Sequence, residues 1–258
     1  MTLFRKSWCR VATLFGLVLT VSVARAGDRY PVTWDSSLVV GGASAGSQVG
    51  LRDLLTRRWQ VGDEAIVFDV RNSEGLTMVV DDCDALFKAD AEGMQPVAYP
   101  DFKQYRAWAV RCYSVRAVSQ ASDAAKSFVD SFAMDEAHIR QLPVELAVVI
   151  SRDDEREVQR IARAGGRLGD YLGNASIQIE SPGPLRGAMI KDVSGGTEGL
   201  RWLASGDFDH DGTGDLLIST YSTVAGGSYE SQGLYVVGRE SEGAPMKVLA
   251  VYPVMGSM

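Results

Sequence analysis

Four aspartates fall within nine residues of this chain, and few folded contexts accommodate them. Residues 206–218 read GDFDHDGTGDLLI. Asp207, Asp209 and Asp211 stand at alternate positions, with Gly212 sixth, Thr213 seventh and Asp215 ninth. As a bare acidic turn these carboxylates repel one another. Folded back by a tight glycine turn, alternate side chains instead converge on one point. A hard cation such as Ca2+ takes about six or seven oxygens at short range there, with a main-chain carbonyl completing the ring. The flanks RWLAS and LLISTYST are strand-like, so the loop is expected to join two strands.

The first nine positions match an EF-hand loop, but the twelfth is Ile218, where that loop needs a bidentate Glu. From Leu200 to Ile218 the chain instead resembles the D-x-D-x-D-G-x-x-D calcium loop of FG-GAP and VCBS-type repeats. That resemblance implies side-chain ligation by Asp207, Asp209, Asp211 and Asp215 and a main-chain ligand at Thr213, with Ca2+ as the cofactor. It extends to the loop and not to the fold, because propellers need several blades and no second DxDxDG occurs. His210 sits at a loop position that points outward and is not counted among the ligands. The whole layout, with an export signal, a helical middle and one C-terminal loop, resembles exported bacterial proteins.

Residues 1–26 read as a signal peptide. Arg5, Lys6 and Arg10 precede an apolar run from Val11 to Val23, and Ala24-Arg25-Ala26 supplies the small-x-small cleavage pattern. The run falls short of the roughly 20 residues that span a bilayer. The expectation is a periplasmic or secreted protein with no membrane insertion once the signal is removed. The chain has 26 basic and 33 acidic residues, net −7. Because the first 26 residues hold four positive charges and no acid, the remainder is more acidic still. That balance excludes a nucleic-acid binder, which needs clustered Lys and Arg.

Export sets the reading of the cysteines. Beyond the signal only Cys83 and Cys112 remain, and in an oxidising compartment a disulfide is the default. A redox thiol is disfavoured: there is no CxxC, and Asp81, Asp82 and Asp84 around Cys83 would raise a thiol pKa.

The predicted class is α+β: helical through residues 27–170, then a β-rich calcium-binding region over 171–258, the two forming one domain or two. Helices are expected at 49–59, at 84–91, in MDEAHIRQL capped by Asp135, and from Asp153 past Arg160, Arg163 and Arg167 to Gly165-Gly166. The segment 102–119 is ambiguous between periods 2 and 3.6. Strands are expected at 65–70 and 76–80, and at 176–180, 189–193, 200–204, 216–223, 233–237 and 248–252, the last six as an antiparallel sheet.

Gly42-Ala43-Ser44-Ala45-Gly46 matches the G-x-S-x-G of a nucleophile elbow. Ser44 lies too close to the start for the strands that precede such an elbow, and no glycine-rich oxyanion segment lies upstream. The group Asp81-Asp82-Cys83-Asp84 lacks the glycine that closes a cation loop. Two functions follow from these residues. The first is a non-catalytic exported calcium protein that acts by binding, with a basic periplasmic or secreted protein as partner. The alternative is a cell-envelope hydrolase using Ser44 or carboxylates such as Asp82.

Overall fold

The computed structural model describes residues 29–36, 38–40, 42–180, 186–191, 196–227 and 229–254. The export segment at 1–26 and the end of the strand expected at 189–193 lie outside the described residues. The protein has a mixed α/β fold, with helices through residues 48–172 and a C-terminal antiparallel sheet over 176–251 that does not close into a barrel or propeller.

Local chemistry places the helices. Helix α1 (Gln48–Leu55) starts at Ser47, whose side chain accepts the Gly50 N–H, and α2 (Cys83–Ala91) at Asp82, whose carboxylate accepts the Ala85 N–H at 2.7 Å. Asp82 is thus occupied as a helix cap. Helix α3 spans Asp101–Gln120, and α4 (Glu136–Ile139) is capped by Asp135 through the His138 N–H. In α5 (Arg152–Arg163) Ser151 and Asp154 form a reciprocal capping box. Gly165, at φ 72°, ends that segment. Arg167 therefore belongs to the next helix, α6 (Leu168–Leu172), where its N–H donates to Asp170.

The ambiguous segment is the longest helix among the described residues, and its burial explains the ambiguity. Tyr105, Trp108, Ala109, Cys112, Tyr113, Val115 and Val118 are all buried, so apolar residues point to almost every side of α3. A helix enclosed this way has no polar stripe to mark its period.

The main sheet contains β1 (Thr33–Trp34), β2 (Lys126–Ser127), β3 (Ser176–Glu180), β4 (Arg186–Lys191), β5 (Gly196–Gly206), β6 (Thr213–Val224), β7 (Glu230–Gly238) and β8 (Lys247–Val251). Strands β3 to β8 pair in sequence order, all antiparallel. Two short strands from the helical half join it: β1 lies antiparallel to β5, and β2 parallel to β6. A smaller sheet of Phe68–Arg71, Thr77–Val80 and Gln95–Pro96 stands apart.

Alternation along the central strands splits the core in two. Leu217, Leu234 and Val236 face one way, onto α1–α3. Leu216, Ile218 and Val237 face the other, onto α4–α6 and the segment between them. Both cores draw on residues before and after 170. In the first, Trp59 stacks on Trp108 at 4.7 Å between ring centres. A disulfide joins Cys83 at the start of α2 to Cys112 in α3.

One charge-bearing side chain interrupts the second core. Glu198 of β5, level with Ile190 and Ser222, is 2% exposed, and among the described residues neither carboxyl oxygen has a well-formed hydrogen bond. Burial raises its pKa well above the usual range, and the Val148 N–H opposes that rise only in part. Because the folded pKa exceeds the unfolded one, the group's contribution is complete below about pH 4.5 and is lost as pH rises toward the folded value. Glu198→Met is therefore expected to raise stability at pH 8 by about 1–3 kcal/mol and to flatten its pH dependence in urea titrations. A loss of stability at pH 8 would show that Glu198 has a partner.

Candidate metal centre

Strands β5 and β6 form a long hairpin, and the acidic segment 207–212 is its connecting loop. Gly212 takes φ 82°, a backbone that an L side chain strains to adopt, and this sends the chain back into β6. His210 takes φ 64°.

The loop's own amides hold its carboxylates. Asp207 accepts the Asp211 N–H at 3.1 Å and the Gly212 N–H at 2.9 Å. Asp209 accepts the Asp211 N–H at 3.2 Å, and Asp215 accepts the Phe208 N–H at 3.2 Å. Through these bonds Asp207, Asp209 and Asp215 converge, each offering an oxygen within 4.8 Å of the others. Asp211 stands outside that group: its Oδ1 accepts the Thr213 N–H at 2.6 Å. Thr213, 3% exposed, begins β6 beside Lys126.

Burial makes the convergence costly. Asp207 is 4% exposed and Asp215 1%. Burial first, and then the neighbouring charges of Asp209, Asp211 and Asp207, push the Asp215 carboxyl up to about 7 against the opposing Phe208 N–H. A divalent ion among the three carboxylates would remove that penalty. The donor set is all oxygen, which suits a hard cation.

Two supports of the loop were not legible in the sequence. The first is a strap that follows α3. Ser122 and Asp207 exchange both backbone hydrogen bonds, and Ala125 and Lys126 donate to the Gly212 carbonyl. The Ser122 hydroxyl also meets His210 Nδ1 at 3.2 Å. Gly214 hints at this strap, since a Cβ there would lie 2.9 Å from Ser127 Oγ. The second support is Gly238 at the end of β7, beside Asp215. A Cβ on Gly238 would fall 2.3 Å from Asp215 Oδ1 and 2.7 Å from Leu249 Cδ1, so the carboxylate occupies the space a side chain would need.

The other residues singled out lie elsewhere. Ser44 sits in a two-residue strand paired with Val39, and α1 begins four residues later. The hydrogen bonds of the two histidines run to Ser122 from His210 and to Asp135 from His138. Asp81 pairs with Arg58 at 3.2 Å. No helix among the described residues is long and apolar enough to cross a membrane. Compared with known proteins, the chain matches no family model, no curated protein and no solved structure.

Proposed function

We propose that the protein is an exported, non-catalytic binding protein whose β5–β6 hairpin is locked by one Ca2+. The observation that carries this reading is the convergence of three carboxylates, two of them buried, at the tip of a hairpin. Asp207, Asp209 and Asp215 supply side-chain oxygens; Asp211 and the Thr213 carbonyl complete the set the loop resemblance implies. The bound ion neutralises charges that the strap at 122–127 presses together, and so ties the end of α3 to the sheet. The cleavage pattern at 24–26 supports export. The net charge of −7 favours a basic partner surface.

Gly238→Ala tests the site without replacing a ligand, because the added Cβ would crowd Asp215 Oδ1. It is expected to weaken Ca2+ binding by about ten-fold or more while leaving a cooperative melt. Unchanged affinity would place Asp215 outside the ligand set.

The non-catalytic half of the reading is tested by turnover. Wild type, Ser44→Ala and Asp82→Asn are assayed side by side on ester and glycan substrates. The three are expected to be indistinguishable from buffer; turnover by wild type that either substitution abolishes would overturn this reading in favour of the hydrolase.

A further inference from the structure

A cavity of about 640 Å3 opens between α3 and the sheet, toward the end of the β5–β6 hairpin remote from the acidic loop. Its size suits a small-molecule ligand. The floor exists because one sheet face carries little there: Gly187 pairs with Arg201, which pairs with Ser219, and Met189 pairs with Gly199. At Gly199 an added Cβ would meet nothing closer than Met189 Sδ at 3.4 Å. The roof is one face of α3, with Lys103, Ala107, Val110, Arg111 and Ser114 at helical spacing.

The charges in this cavity are unevenly matched. Lys103 is bound to Glu230 at 2.7 Å. Arg111 comes down from the helix, its guanidinium 4.9 Å from the Trp108 ring centre, and Arg201 rises from the floor. Among the described residues neither arginine forms an ion pair, and Glu180, the other acid lining the cavity, is paired with neither. Loss of hydration and then the Arg201 charge hold Arg111 below its usual pKa, as expected for like charges sharing one cavity. Both side chains keep contact with solvent, so a ligand can reach them. Guanidinium forks bind carboxylate, sulfonate and phosphate oxygens with directed, charge-assisted hydrogen bonds. Leu38, Val110, Met189 and Leu203 supply an apolar wall beside them.

We propose that this cavity binds a small organic anion, with its acidic group held by Arg111 and Arg201 and its apolar body against that wall.

The test uses the full chain with its disulfide intact and, as probe, 8-anilinonaphthalene-1-sulfonate, an aryl group bearing one sulfonate. Saturable binding at one site per chain is expected, with affinity falling about ten-fold or more in Arg111→Met and in Arg201→Met. Gly199→Val, which fills the floor, is expected to abolish it. The neutral analogue N-phenyl-1-naphthylamine should bind wild type more weakly than the sulfonate. A cooperative melt of each variant separates this binding from dye uptake by a loosened core. Equal affinity in wild type and both arginine variants, or equal affinity for the neutral analogue, would overturn the proposal. Should Gly199→Val fail to fold, the two arginine variants decide it.

Discussion

Removing both sulfurs, in Cys83→Ala/Cys112→Ala, is expected to lower the unfolding free energy by about 3–4 kcal/mol, since the closed loop is of the order of 30 residues. For a domain of this size that corresponds to a fall in Tm of about 6–15 °C. The bond joins the first turn of α2 to the middle of α3, and both cysteines are fully buried. Other contacts between the same helices remain in the variant: Tyr113 donates to Asp90 at 2.9 Å, and Phe87 packs on the Tyr113 ring. The variant should therefore still fold cooperatively, with a lower midpoint. Scanning calorimetry with and without reductant checks this, because reductant should shift wild type and leave the variant alone. Equal melting temperatures for wild type and variant would mean that the helix contacts alone fix α2.

Withdrawing Ca2+ is the second large perturbation. With the ion at 100 times its Kd, binding contributes about 2.7 kcal/mol, so chelation should lower Tm by about 5–10 °C. Asp209→Ala should show a smaller shift or none. The size of the shift depends on pH, with a sign set by Asp215. Without a cation its folded pKa of about 7 lies above the ordinary 3.8, so the folded protein holds an extra proton between those values. Stability of the chelated protein then declines as pH rises through that window. The calcium-loaded protein keeps Asp215 ionised, so its stability is nearly flat over the same window. The gap in Tm between the two should widen from pH 5 to pH 7.5; a gap independent of pH would remove Asp215 from the ligand set.

What the sequence disclosed and what it withheld follow from how local each feature is. The strands at 200–204, 216–223 and 233–237 were readable from turn-bounded runs of apolar, β-branched and aromatic residues, and each proves longer at both ends. Capped helices were readable too, because Asp135 and the acids opening α5 act within one turn. Helix α3 was not, since nearly every face is buried. Strand β2 was not, being two residues long and held by a partner far along the chain. The same division runs through the site. The aspartate spacing is local and could be read directly. The contact of Asp215 with Gly238, and the strap from Ser122 to Ser127, depend on register and tertiary pairing that no local pattern encodes.

Isothermal titration of chelator-treated protein with CaCl2 tests the metal centre most directly. One site per chain is expected in wild type, with no measurable heat of binding in Asp207→Ala. A flat titration of folded wild-type protein, or an Asp207→Ala isotherm identical to it, would contradict the account.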